Sequence, residues 1–68
     1  MKLSARNVIP GTITAVIRGQ TTANIKVDIG GGTLVTSSIT MEATDDLGLK
    51  IGDKVSVVIK SSDIMIGK

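Results

Sequence analysis

Polar and apolar residues alternate along most of the chain, and many of the apolar residues are β-branched. This is the pattern of strands that bury one face. The clearest case runs from Thr22 to Ile29, where one parity is apolar and the other polar: Ala23, Ile25, Val27 and Ile29 against Asn24, Lys26 and Asp28. We therefore predict an all-β domain.

Four more segments fit the same criterion, with short turns between them. They run from about Asn7 to Ile17, from Thr33 to Thr40, from Val55 to Lys60 and from Asp63 to Ile66. Strict alternation in the first strand would place one set of side chains inside and the other outside: Ile9, Ile13, Ala15 and Ile17 against Thr12, Thr14 and Val16. Within that strand, Pro10-Gly11 predicts a bend or an edge position, where a missing N–H is tolerated.

Glycines and a short polar segment predict the connections. Gly30-Gly31-Gly32 is typical of a hairpin turn and lacks the Lys-Ser/Thr and helix of a phosphate-binding loop. Residues 41–48 predict one or two helical turns that end at Gly48, with Asp45-Asp46 as capping residues near the helix start. Three strands, a short helix and two strands predict an OB-like five-stranded β-barrel with the helix between strands 3 and 4.

The composition restricts how such a barrel can be stabilised and in which cellular compartment it is expected. The 68 residues suffice for one domain, residues 1–68, whose core alone gives marginal stability. Because the chain has neither cysteine nor histidine, disulfides and thiolate zinc sites cannot stabilise it, and oligomerisation is expected instead. No apolar run approaches the roughly 20 residues of a membrane helix, and no signal peptide is apparent, so we expect a cytoplasmic protein without membrane contact.

The residues offer little for catalysis. Without histidine and cysteine, the remaining candidates are carboxylates and Lys60, and capping explains the Asp45-Asp46 pair. A calcium site at Asp45, Asp46 and Asp53 would lack EF-hand spacing. We therefore predict no enzyme activity, no catalytic residue, no catalytic cofactor and no direct metal-cation ligand.

Two segments combine positive charge with neutral hydrogen-bond donors: Ser4-Ala5-Arg6-Asn7 before the first strand, and Lys60-Ser61-Ser62-Asp63 after the fourth. A tetrahedral dianion needs several N–H and O–H donors on its oxygens, with cationic charge to offset its desolvation. Arg6 and Lys60 would supply the charge, and Ser4, Ser61 and nearby backbone amides the directional donors. The residues alone leave open that both cations are simply solvated strand ends.

At these same positions the chain resembles the molbindins, the Mop domains that also occur in molybdate-responsive regulators and as TOBE domains of transporter ATPases. The similarity spans the whole chain. It rests on four further stretches besides Ser4-Ala5-Arg6-Asn7: Pro10-Gly11-Thr12-Ile13, Ser38-Ile39-Thr40, Leu47-Gly48-Leu49-Lys50-Ile51-Gly52 and Lys60-Ser61-Ser62-Asp63-Ile64-Met65-Ile66.

The resemblance implies an OB-like fold, hexameric assembly, and molybdate or tungstate bound between subunits without chemical change, for storage or buffering. In the main oxyanion pocket, residues of one subunit would meet those of its neighbour: Ser4, Ala5 and Arg6 with Lys60 and Ser61, and Thr40 close by. A second oxyanion pocket would use the turn residues Gly19, Gln20, Thr21 and Thr22, mainly through their backbone amides.

Two other functions remain open at this stage. An OB-type nucleic-acid module would track phosphates with Arg18, Lys26 and Lys54, although the chain has no aromatic residue for base stacking and a net charge of only +2. A ligand-free assembly or regulatory module would keep the fold alone. The matched polar positions count against that second alternative.

Overall fold

The computed structural model describes residues 2–68 and contains four strands, one α-helix and one 3-10 turn. In chain order they are β1 (Asn7–Arg18), β2 (Thr22–Asp28), β3 (Leu34–Thr40), α1 (Met41–Leu47), β4 (Lys54–Ile59) and the 3-10 turn (Ser61–Asp63). The strands agree with the predicted ones to within a residue or two at each end. The helix follows the third strand, as predicted.

All the strands pair antiparallel, in the order β3-β2-β1-β4. The 12-residue β1 serves two partners, because its first half pairs with β4 and its second half with β2. The sheet curls around a core of Ile13, Ala23, Ile25 and Val27, each at most 3% exposed. This curled antiparallel sheet with one short helix confirms the all-β, OB-like prediction.

A β-bulge interrupts the alternation of β1 around Thr14. Ile13 pairs with Val27, but the next pair is Ala15 with Lys26, so one residue of β1 has no partner. An extra residue reverses which side chains face inward. Val16 therefore packs against the core, whereas Ile17 is 54% exposed. The predicted parity was right up to Ile13 and wrong beyond it.

Pro10 and Gly11 lie inside β1, where only β4 pairs with it. The Ile13 N–H donates to the Asp53 carbonyl on the β4 side, and N–H groups alternate along a strand. The Pro10 nitrogen therefore faces the side without a partner, as the predicted edge position requires. Gly11 is needed for a close approach, since a Cβ there would lie 2.5 Å from the Val27 side chain.

Helix α1 starts at a threonine cap and ends at a glycine. The Thr40 hydroxyl oxygen accepts the Ala43 N–H at 3.0 Å, and Gly48 ends the helix in the left-handed conformation. Only Glu42 is acidic in the first turn, so the prediction that Asp45-Asp46 caps the helix start was wrong. These two residues lie in the second half of the helix, where Asp45 pairs with Arg18 instead.

The predicted final strand, Asp63 to Ile66, is absent from the sheet of this single chain. Residues 61–63 form the 3-10 turn, and residues 64–68 join no ladder. The turn is closed by the Asp63 N–H donating to the Lys60 carbonyl at 2.9 Å. Residues 63–66 therefore have the apolar composition of a strand but pair with no strand of this chain.

Candidate functional site

The ladder between β1 and β4 brings the two predicted oxyanion-binding segments together. Asn7, the first residue of β1, pairs with Ile59, the last residue of β4, and the Asn7 side-chain amide donates to the Ile59 carbonyl at 3.2 Å. Arg6 immediately precedes this pair and Lys60 immediately follows it. One end of the sheet thus carries Ser4-Ala5-Arg6 beside Lys60-Ser61 within a single chain, whereas the family resemblance implied that the two segments meet from neighbouring subunits.

This end of the sheet offers both kinds of group that a tetrahedral dianion requires. Arg6 and Lys60 carry positive charge, while Ser4 and Ser61 carry hydroxyl groups. In the described chain, the Ser61 N–H makes no backbone hydrogen bond, so it is available as a further donor. Ala5 is the least exposed of the group and adds no bulk beyond a methyl. Together these groups form a surface rich in hydrogen-bond donors.

The site is open to solvent in one chain. Ser4, Arg6, Lys60 and Ser61 are all exposed, and Asp63 places a carboxylate two residues beyond Ser61. Exposed charges are screened by water and salt, which weakens their attraction for an anion. Additional walls around this surface would therefore be needed to desolvate a bound dianion.

Thr40 lies away from these segments in the single chain. It pairs with Thr22 at the start of β2, which adjoins the Arg18 end of β1, whereas Arg6 precedes the Asn7 end. Within one chain, Thr40 therefore does not lie with the Arg6 group. Its hydroxyl oxygen already caps α1, but the hydroxyl proton is still able to donate.

The capping contact predicts a structural effect for Thr40→Ala. Without the hydroxyl, the Ala43 N–H loses its acceptor, which should lower the free energy of unfolding by about 1 kcal/mol. Thr40→Ser keeps the hydroxyl and should restore most of that loss. Urea unfolding followed by far-UV circular dichroism would measure both, and equal stability of the alanine variant and the unmodified chain would contradict the capping role.

The second predicted oxyanion pocket corresponds to the turn between β1 and β2. The Gly19 N–H donates to the Thr22 carbonyl at 2.8 Å, and the Thr21 carbonyl accepts the Met41 N–H at 3.0 Å. The amides of Gln20 and Thr21 make no backbone hydrogen bond within residues 2–68. They are the free donors of this turn, and their side chains are exposed.

An ion pair reduces the positive charge available to that turn. Arg18 donates to Asp45 at 2.8 Å, with both side chains about half exposed. Sequence reasoning missed this contact because it assigned Asp45 to the helix cap. Since a carboxylate already compensates the nearest guanidinium, the turn offers a dianion less charge than the Arg6 and Lys60 segments do.

The three cations proposed for nucleic-acid binding all contact side chains of their own chain. Lys26 donates to the Thr36 hydroxyl at 2.7 Å and Lys54 to the Thr12 hydroxyl at 2.8 Å, on the outer face of the sheet. A groove of about 660 Å³ on this face has Lys54 and Thr12 in its wall, but Asp28 as well. None of the predicted oxyanion-binding residues lines it.

Within residues 2–68, no cluster of acidic side chains suited to a metal cation is found. No group of three acidic side chains comes together there, so the residues considered for calcium, Asp45, Asp46 and Asp53, do not form a cluster. No described helix has the length and apolar character needed to cross a membrane.

Asn7 is the residue to which the sequence analysis assigned no role. Its side-chain amide connects the two donor segments through its hydrogen bond to Ile59.

One end of this small curled β-sheet carries exposed cations and hydroxyl groups, which is the donor set expected of an oxyanion-binding class of domain. Comparison with known proteins agrees with this class. The family model for the TOBE domain matches residues 3–66, and the chain belongs to this family, in its molbindin or Mop branch.

Two of the relatives match over nearly their whole length, and a third matches over about half of its length. Molybdenum-pterin-binding protein 3 of Clostridium pasteurianum is 46% identical over 66 residues, covering 97% of each chain. The structure of a molybdate-binding protein from Sporomusa ovata superposes with a TM-score of 0.93 at 34% identity, and all of both chains is covered. The cytoplasmic molybdate-binding protein ModG, solved with molybdate bound, gives a TM-score of 0.90 at 42% identity, with 96% of this chain matching 46% of that one.

Proposed function

We propose that this protein binds molybdate or tungstate reversibly and stores or buffers the oxyanion without any catalytic step. The observation that carries this proposal is the pairing of Asn7 with Ile59, which sets the Ser4-to-Arg6 segment beside Lys60 and Ser61. Relatives described as molybdate-binding proteins share the fold at 34% and 42% identity. The donor groups of the site and the similarity to molybdate-binding relatives therefore support the same ligand.

Arg6 and Lys60 offset the two negative charges of the oxyanion, since charge-assisted hydrogen bonds are about twice as strong as neutral ones. Ser4, Ser61 and the backbone amides at Ala5 and Ser61 bond its oxygens. The turn from Gly19 to Thr22 forms a second, weaker oxyanion pocket through its amides. No group in this set has to gain or lose a proton for the ligand to bind.

The main pocket lies between subunits of a homo-oligomer, for which we propose a hexamer. Exposure of every charged donor in one chain supports this arrangement, because a partner's surface would exclude water from the bound dianion. A neighbouring subunit would also bring its Thr40 to the pocket. One Mop domain, residues 1–68, then forms the repeating unit of the assembly.

The proposed location is the cytoplasm, where a relative described as cytoplasmic also binds molybdate. There, a reversible store would keep the free oxyanion concentration steady. Molybdate, tungstate and sulfate are all tetrahedral dianions, so discrimination against sulfate has to come from the size of the pocket and from the cost of dehydrating each ion.

Isothermal titration of the oxyanion-free protein with molybdate, alone and in excess sulfate, tests the proposal. Because the chain has no aromatic residue, its concentration must be set by peptide-bond absorbance or refractive index. Native mass spectrometry of the same sample counts chains and bound anions. We expect binding that survives excess sulfate, with more than one anion per two chains of a hexamer.

Absence of heat with both molybdate and tungstate would overturn the binding function and leave an assembly module. Displacement by equimolar sulfate would show a general anion surface instead. A monomer that still binds molybdate tightly would retain the ligand but refute the pocket between subunits.

A further inference from the structure

Asn7 is an amide at a position that the sheet otherwise gives to apolar side chains. It shares the parity of Ile9 and Ile13 on β1, and it pairs with Ile59, one of the inward-facing apolar residues of β4. Hydrophobic packing therefore does not explain an asparagine here. A half-buried polar side chain at such a position needs a hydrogen-bond partner, and Asn7 has one across the ladder in the Ile59 carbonyl.

The chemistry of this contact determines which end of the amide is used. A carbonyl oxygen can only accept a hydrogen bond, so the Asn7 side chain presents its NH2 group, with the nitrogen 3.2 Å from the Ile59 oxygen. An ionised carboxylate of the same shape would place two acceptors against each other. The contact is therefore specific to a side chain that donates.

The contact lies at the last pair of the β1-β4 ladder. Beyond Asn7 and Ile59, no described ladder pair joins the segments that carry Arg6 and Lys60. Strand ends open more readily than strand centres, because fewer contacts hold them. The Asn7 amide adds a cross-strand hydrogen bond at the point where main-chain pairing stops. It therefore limits how far Arg6 and Lys60 move relative to each other.

We infer that Asn7 is a positioning residue of the oxyanion site, which holds the Ser4-to-Arg6 segment in place beside Lys60 and Ser61. The inference rests on the proposed function and adds to it a residue that does not touch the ligand. The bond fixes both segments of every chain, whether the two segments that meet at one oxyanion come from one chain or from adjacent chains. Because the amide is neutral, it acts through geometry and leaves the charge of the site unchanged.

The size of the effect follows from the geometry of the ligand. Donors that bind a tetrahedral dianion must converge on its oxygens, so their separation matters as well as their charge. Partners that orient the ligands of a metal site typically contribute roughly 10- to 100-fold in affinity. We expect the lower end of that range here, because the main-chain pairing of Asn7 with Ile59 remains when the amide is removed.

Asn7→Leu removes the donor and keeps a side chain of similar size that suits an inward position. Isothermal titration should show molybdate binding about 10-fold weaker, while urea unfolding and native mass spectrometry show an intact fold and assembly. Asn24→Leu is the matched control, since Asn24 is an exposed residue of β2 that pairs with Ile17, far along β1 from Asn7. It should bind molybdate like the unmodified protein.

A double-mutant cycle with Lys60→Met separates positioning from a general loss of stability. If Asn7 acts through the Lys60 segment, Asn7→Leu costs less once the Lys60 charge is gone, below about 3-fold instead of about 10-fold. Purely structural damage would reduce the affinity by the same factor in both backgrounds.

Amide hydrogen exchange, followed by NMR, tests the same contact without any ligand. The Asp63 N–H closes the 3-10 turn on the Lys60 carbonyl, so its protection reports the order of that segment. It should exchange at least about 3-fold faster in Asn7→Leu, as expected for the loss of one hydrogen bond. In Asn24→Leu it should exchange at the unmodified rate.

Each outcome bears on one of the two proposals. Equal molybdate affinities of Asn7→Leu and Asn24→Leu, with normal binding by the unmodified protein, would overturn the inference and leave the proposed function intact. Multiplicative effects in the cycle, or unchanged exchange at Asp63, would also overturn it. An unmodified protein that does not bind molybdate would overturn the proposed function, and the inference with it.

Discussion

Arg6→Ala is expected to weaken molybdate binding by at least about 100-fold, the loss that follows when charged hydrogen bonds to an anion disappear. The guanidinium offers a planar fork of donors beside Lys60, and an alanine leaves the dianion with half of its compensating charge. The fold should be unaffected, since Arg6 is exposed and precedes the first paired residue of β1. Isothermal titration measures the affinity, and native mass spectrometry checks that the assembly persists.

Arg18→Ala is the matched control, because it removes the same charge from the opposite end of β1. Arg18 pairs with Asp45, so its loss should change the affinity of the main pocket only slightly. Arg6→Lys keeps the charge without the fork, and its affinity should fall between the unmodified protein and Arg6→Ala. Equal affinities of Arg6→Ala and Arg18→Ala would remove Arg6 from the site.

Local patterns were sufficient to predict most of the fold. Alternation defined β2 fully, the glycines at 30–32 and 48 marked two chain reversals, and the strand-helix order indicated the OB-like class. The bulge at Thr14 was not predicted because no glycine or proline marks it. With a single extra residue, the hydrophobic pattern of β1 fits either register. The sequence therefore placed Ala15 and Ile17 on the wrong face.

The predicted fifth strand shows a different limit. Residues 63–66 have strand composition, but composition does not say which edge, or which copy of the chain, receives them. In a single chain they remain unpaired. A prediction made from one sequence treats every strand as pairing within that sequence, and residues 63–66 do not meet this assumption.

In the candidate site, local patterns identified the residues but did not show which of them lie together. Charge and hydroxyl content identified the Arg6 and Lys60 segments, and the family resemblance linked them. Their proximity depends on pairing between Asn7 and Ile59, which are 52 residues apart, and no local pattern encodes such a contact. The family resemblance also grouped Thr40 with Arg6. In one chain, however, Thr40 ends β3 beside Thr22, toward the end of β1 opposite to Arg6.

Ile13→Ala should remove a large part of the stability of the subunit. Ile13 is 1% exposed at the centre of the core, and isoleucine-to-alanine changes at such positions cost about 2–5 kcal/mol. A domain of this length is stable by roughly 3–10 kcal/mol, at 0.05–0.15 kcal/mol per residue.

Ile17→Ala is the same substitution four residues further along β1, and it distinguishes the two possible registers of that strand. Strict alternation would put Ile17 on the buried side with Ile13, whereas the bulge at Thr14 turns it outward to 54% exposure. We expect its cost to stay below about 1 kcal/mol, as for surface positions generally. Urea unfolding by circular dichroism at one fixed chain concentration compares both variants, because oligomerisation makes stability depend on concentration. Equal losses would mean that β1 runs without the bulge, and a smaller loss at Ile13 would reverse the assignment of inner and outer faces.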